Sequence, residues 1–300
     1  MSGTAQDPTL TRPELAEAHA AADAVARAGG LTVRELTEPP EHREAERLLS
    51  HVWRTDPSSP PVSGDVLRAL AHAGAYVAGA FLDGGLVGVT AAFLAHHPGG
   101  GAWAELHSHI TGVAPRVQGR RVGSALKLHQ RAWALERGID TIAWTFDPLV
   151  RRNAYFNLTK LGAHVASYLV DFYGDMEDGV NAGQGSDRLL VSWPLRAPHV
   201  VAAAAGRPVD PPDVRVAGGA VLLDTDQDGR PRPHSPAPSD TVLCAAPADI
   251  EGLRRTDPAA AQEWRYAVRE VFLGALADGR RVAGMTRAGW YVLTTKRESR

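Results

Sequence analysis

The apolar positions of this chain change their period repeatedly, and each change marks an element. Leu31–Leu36 alternates apolar and polar residues, the pattern of a half-buried strand. Residues 40–54 set Ala45, Leu48, Leu49 and Val52 on one face at helical spacing, and residues 64–73 predict a second helix capped by Ser63 or Asp65. Residues 75–82 and 86–95 flank Asp83-Gly84-Gly85, a hairpin signal. A strand over 103–113 follows, then a helix over 122–136 ending at Gly138 and the strand Thr141–Phe146. A helix over 150–161 stops at Gly162, and strands follow over 163–173 and 188–195. Ahead of all of these, Pro13 opens a short helix over 13–28 that Gly29-Gly30 closes.

This order predicts an α/β (α+β) domain over 31–195, behind an N-terminal helical or flexible segment over 1–30. Residues 196–240 are rich in Pro, Gly and Asp with little periodicity beyond a hairpin option at Val214–Leu223, and read as an extended linker. Order returns over 241–300 as a smaller C-terminal strand-helix-hairpin extension. Val242–Ala246 is its strand. Asp257-Pro258 starts a helix with Ala261, Trp264, Val268, Phe272 and Leu276 on one face, and Gly279 ends it. Val282–Met285 and Trp290–Thr294 form its closing hairpin. So small a piece lacks a large core of its own and is expected to pack on the main domain or on a second protomer, which makes a homodimer one expected state.

Composition narrows the function classes. The chain has 300 residues, 44% apolar, with a formal net charge of −2, so no global basic field advertises nucleic acid or an anionic membrane. No apolar run approaches the roughly 18 residues that span a bilayer. The N-terminus lacks the layout of a signal peptide. The one cysteine, Cys244, lies in an apolar run and reads as a buried structural thiol, and it rules out a multi-cysteine metal site. Together these point to the cytoplasm, with neither a metal nor a membrane partner.

The chemistry concentrates between 103 and 124. On the strand, Glu105, His107 and His109 share one face by period two, and Leu106, Ser108 and Ile110 take the other. Three ionisable groups on one face of a central strand suit a general base near neutral pKa. The next segment, Val113-Ala114-Pro115-Arg116-Val117-Gln118-Gly119-Arg120-Arg121-Val122-Gly123-Ser124, leads into a helix. Free N–H groups and the positive dipole end at that entrance, with Arg120 and Arg121 beside them, make an anion cradle suited to a pyrophosphate.

This segment resembles the acyl-CoA loop of the GNAT N-acyltransferase superfamily, Gln/Arg-x-x-Gly-x-Gly/Ala after a central strand. Gln118, Val122 and Gly123 fit, whereas Arg121 stands where that family usually has its first glycine. The resemblance covers 31–195 and implies a mixed central sheet splayed at the acyl-CoA site. It further implies that Val113, Gln118, Gly119, Arg120, Arg121, Val122, Gly123 and Ser124 hold the cofactor, with the base drawn from His109, His107 and Glu105 in that order. Aligning Lys160-Leu161-Gly162 with the family's Lys-Leu-Gly-Phe puts Leu158 at the position of the usual acid tyrosine; Tyr155, one turn upstream, replaces it only if the helix rotates.

A tighter resemblance joins Leu106–His109, Trp144-Thr145-Phe146-Asp147-Pro148-Leu149 and Ser186-Asp187-Arg188 to one GNAT branch. There Asn153 or Asn157, at i and i+4 on one helix face, is expected to bond the pantetheine amides or substrate. Arg188 is expected either to bind a substrate carboxylate or to pair with Asp187 or a neighbour. The branch implies N-acylation of a small primary amine, such as an amino acid, from acetyl-CoA or succinyl-CoA; Arg188 or Arg265 would then hold the distal succinyl carboxylate. The alternatives are a non-catalytic GNAT-fold protein that binds CoA or another ligand, and a protein N-acetyltransferase.

Overall fold

Thr11 begins the first ordered element. Its hydroxyl accepts from the Glu14 N–H while the Glu14 carboxylate takes the Thr11 N–H, a reciprocal cap that starts α1 (Arg12–Ala28). The computed structural model describes residues 11–96, 104–117, 119–174, 176, 179, 185–211, 219–235 and 238–295. The chain divides into two compact units, one of residues 1–142 with 194–196, the other of residues 143–193 with 197–300.

In the first unit, β1 (Leu31–Glu35) follows α1, then α2 (Pro39–Trp53), α3 (Gly64–His72), β2 (Tyr76–Leu82), β3 (Gly85–His96), β4 (Ala104–Val113) and α4 (Val122–Glu136). β1 to β4 pair consecutively and antiparallel. The expected apolar stripe of α2 is real: Ala45, Leu48 and Leu49 are buried with Leu67, Val77, Val89 and Leu126 in one core. Gly88 on β3 lets the start of α4 sit close, since a Cβ there would lie 2.7 Å from Val122 Cγ1. That contact sets the height at which α4 begins above the sheet.

β5 (Thr141–Phe146) carries the chain into the second unit. α5 (Arg151–Ala154) then gives way to a π-helical segment, Tyr155–Lys160. β6 (His164–Leu169) and β7 (Arg188–Pro194) are antiparallel, and β7 lies between β5 and β6. The 196–240 stretch is more ordered than its composition suggests. It contains α6 (Pro198–Ala204), β8 (Ala220–Thr225) and β9 (Pro231–Pro233). The hairpin joins β8 to β9 instead of falling at Val214–Leu223, of which 214–218 lie outside the described residues. The prolines of β9 are tolerated because it is an edge strand.

β10 (Thr241–Ala245), α7 (Ile250–Thr256), α8 (Pro258–Ala277), β11 (Arg281–Met285) and β12 (Trp290–Thr294) complete the chain. They form a mixed sheet in the order β11-β12-β10-β8-β9, parallel only between β10 and β8. The predicted inner face of α8 is buried at Ala261, Trp264, Val268 and Phe272. Cys244 is fully buried, and burial raises its thiol pKa, as expected of a structural cysteine. The fold is thus mixed α/β with an additional C-terminal sheet and helix. No helix among the described residues is long and apolar enough to cross a membrane.

Candidate active site

The candidate site residues of the first unit begin on β4. Opposite β3, Ala91 faces Ile110 and Ala92 faces Ser108, so His109 is the extra residue of a β-bulge. A bulge bends its strand and leaves the extra residue outside the ladder, a feature common beside active sites. The expected alternation survives it: Leu106, Ser108 and Ile110 are buried, Glu105 and His107 half-buried, and His109 exposed. The His107 and His109 rings lie 6.3 Å apart, with Phe93 5.2 Å and 5.8 Å from them. The surrounding protein holds both imidazoles below their usual pKa, and the His109 and Lys127 charges lower His107 further. Neutral imidazoles at pH 7 are competent bases. Glu105 makes no hydrogen bond or ion pair among the described residues.

Behind the strand stands a group that the sequence pattern did not single out. Lys127, on the second turn of α4, is buried; its ammonium donates to Ser108 Oγ at 2.9 Å and to Gln130 Oε1 at 3.1 Å. Burial brings its pKa down to about 7. The only signal in the sequence was a lysine at a position that the helical period buries.

β4 runs through Val113 and a short 3₁₀ turn, Pro115–Val117, to the entrance of α4. Gln118 lies outside the described residues. Gly119 has φ +89° and Arg121 φ +59°, so Arg121 adopts the left-handed conformation that favours glycine. No side chain caps α4, and its first turn holds no acid. The first helical bond runs from the Ala125 N–H to the Arg121 carbonyl at 2.9 Å. The N–H groups of Val122, Gly123 and Ser124 therefore precede the ladder, beside the exposed Arg120 and Arg121. Such an entrance attracts an anion with several negative oxygens.

In the second unit, Asn153 is exposed and Asn157 buried, so the two do not share one face as an α-helix would have it. The π-helical winding, seen in the Leu161 N–H to Phe156 carbonyl bond, shifts the phase between them. Leu158 is buried. The Tyr155 hydroxyl donates to Asp210 Oδ1 at 2.9 Å and accepts from Arg287 Nε at 2.9 Å, so it is committed to neighbours of its own unit.

Asp187 and Arg188 do not form a side-chain ion pair with each other. Arg188 donates to the Asp187 carbonyl, while the Asp187 carboxylate binds Arg269 at 2.6 Å and 2.9 Å and accepts from Tyr168 Oη at 2.6 Å. Burial would raise the Asp187 carboxyl, but these donors hold it below the usual range. Arg265 is engaged within the fold. Its guanidinium makes two 2.8 Å bonds to Asp147, and Arg254 also binds that carboxylate. Against the cost of burial, these charges keep Asp147 far below the ordinary carboxyl pKa. No cluster of His, Cys, Asp and Glu able to hold a metal occurs among the described residues.

Residues 34–162 match the sequence model of the Acetyltransferase (GNAT) family. No curated protein matches the chain. Among solved structures, the chain is similar to a GNAT-family acetyltransferase from Streptococcus pneumoniae, with 16% identity, 54% of this chain and 97% of the other covered, and a TM-score of 0.44. It is similar to the ribosomal-protein-S18-alanine N-acetyltransferase of Escherichia coli, with 16% identity, 56% and 95% covered, and a TM-score of 0.42. It is also similar to a putative acetyltransferase from Salmonella typhimurium solved with its cofactor acetyl-CoA, with 18% identity, 56% and 98% covered, and a TM-score of 0.42.

Proposed function

We propose that the chain is a GNAT-superfamily N-acyltransferase of the cytoplasm that moves an acetyl or succinyl group from acyl-CoA to the primary amine of a small molecule. The observation that carries this reading is the continuous run from the His107–His109 pair, across the bulge, into an uncapped helix entrance flanked by Arg120 and Arg121. A base and an anion cradle follow one another on a single piece of chain, and the family match covers both.

In this reading the N–H groups of Val122, Gly123 and Ser124, with Gly119, Arg120, Arg121 and Gln118, hold the pyrophosphate, and Val113 bonds the pantetheine amides. His109, aided by His107 or Glu105, removes a proton from the ammonium. The free amine attacks the thioester carbon, and the bulged backbone of β4 supplies a donor for the developing oxyanion. Collapse breaks the C–S bond, and the second amine proton passes to the departing thiolate, giving the amide and CoA as its thiol. A thiol pKa near 8.5 makes it a fair leaving group without a protein acid. That suits a chain with Leu158 at the acid position and Tyr155 engaged elsewhere.

The test is thiol release from acetyl-CoA and succinyl-CoA against a panel of amines, alongside calorimetric CoA binding. His109→Ala is expected to lower turnover by roughly 10²–10⁴ and to keep CoA affinity. The engaged Tyr155 also favours a second reading, a protein that binds CoA without transfer. CoA binding with no turnover on any amine would establish that one.

A further inference from the structure

The end of α1 lies against the segment that opens α4. A Cβ placed on Gly29 would stand 2.7 Å from the Arg120 carbonyl oxygen, inside the 3.4 Å at which ordinary contact begins. Only a glycine lets two backbones approach so closely. The φ of Gly29 is −88°, open to any residue, so the approach and not the torsion calls for glycine. Ahead of this contact α1 packs along α4, with Ala18 and Ala22 buried. The family match begins at residue 34, so α1 lies outside it.

Of the two sides of the contact, the helix end is the firmer. The Gly29 N–H donates to the Val25 and Ala26 carbonyls, and the Gly30 N–H to that of Arg27. The chain then enters β1 at once, where Leu31 is buried and paired with Leu82. The other side is a turn. Gly119 and Arg121 both have positive φ, Arg120 and Arg121 are exposed, and no side chain caps α4. The Arg120 carbonyl belongs to the planar peptide that precedes Arg121, so a body against that oxygen limits rotation about the Arg121 φ. A left-handed L residue persists only where its surroundings hold it. A Cβ at residue 29 would therefore push on the turn, and the turn would give.

We propose that α1 buttresses the acyl-CoA loop, with Gly29 as the positioning residue that holds the Arg120–Arg121 peptide and so the aim of the Val122, Gly123 and Ser124 N–H groups. The identity of the anion rests on the acyltransferase reading above; the contact does not. Hydrogen bonds to a phosphate oxygen weaken outside a narrow range of length and angle, so a displaced turn binds less well.

The experiment measures calorimetric CoA binding and amide hydrogen exchange on the full chain and two variants. Gly29→Ala is expected to weaken CoA about tenfold and to speed exchange over 119–124 in the free protein. Gly30→Ala is the contrast. Its φ of +67° strains an alanine, but its Cβ meets only Leu82 Cδ1 at 3.8 Å. It is expected to lower Tm and to leave CoA affinity and loop exchange unchanged. Equal effects of the two variants on the loop, or none from Gly29→Ala, overturn the buttress. If Gly29→Ala does not fold, the unaltered chain decides. Coupling between two sites is reciprocal, so CoA is expected to slow exchange at 26–31 as well as at 119–124. Protection confined to 119–124 overturns the proposal. Absence of CoA binding by the unaltered chain overturns the acyltransferase reading instead, and loop exchange in the free proteins then decides the buttress.

Discussion

Three residues show how single side chains set the behaviour of the first unit. Burial and neighbouring charge lower the pKa of His107, and burial lowers that of His109. Both are therefore neutral at pH 7, and the acid limb of kcat/KM is expected below pH 6.5 on the base assignment proposed above. A pH–rate profile in which that limb persists unchanged in His109→Ala would remove His109 from the role. The same shift has a stability consequence. The unfolded chain takes up these protons first, so the stability these residues contribute is full above about pH 6.5 and is lost as pH falls below it. Arg121 is the other case. Its left-handed φ of +59° costs an L side chain about 1 kcal/mol, less whatever glycine loses in unfolded-state entropy. Arg121→Gly should leave the fold equal or up to about 1 kcal/mol more stable in urea titration, and should weaken CoA binding by removing a charge. A large loss of stability would show that the arginine side chain holds the loop.

At the scale of elements, the turn after β5 depends on helices more than a hundred positions away. Asp147 at its end accepts two bonds from Arg265 of α8, another from Arg254 of α7 and one from the Leu149 N–H. The Tyr291 hydroxyl of β12 donates to the Pro148 carbonyl at 2.6 Å. Asp147→Asn would leave buried guanidiniums without their carboxylate and is expected to cost about 3–5 kcal/mol. The folded carboxyl lies far below 3.8, so its contribution is present above that value and lost as pH falls through the folded one. Chemical denaturation at pH 5 and pH 8 should therefore give the same gap between the two proteins. A gap under about 1 kcal/mol would mean the arginines find other partners.

The molecule as a whole divides after residue 142, inside the 31–195 stretch that reads as one domain in the sequence. Residues 197–300 belong to the same compact unit as 143–193. Trp264, Phe272, Tyr291 and Leu293 are fully buried there, and Thr159 of the π-helical segment donates to the Met285 carbonyl at 2.7 Å. Ending the chain after residue 240 would strip β5–β7 of this core. The truncated chain is expected to lose cooperative unfolding of that unit, with rapid proteolysis between 143 and 193. A truncated chain that unfolds cooperatively in both units would refute this.

The sequence alone determined the order of elements in 31–195, the inner faces of α2 and α8, the alternating face of β4 and the start of α4. All of these are local, because period, caps and glycine act within a few residues. The match over residues 34–162 falls on that same stretch. It missed β8 and β9 because their strands are short and proline-bearing, and it misjudged Asn153 and Asn157 because nothing local announces a π-turn. The partners of Asp147, Asp187, Arg188 and Arg265 were decided only in three dimensions. A buried charge chooses among counter-ions by distance in space, and sequence spacing carries no record that the arginines 107 and 118 positions on arrive there.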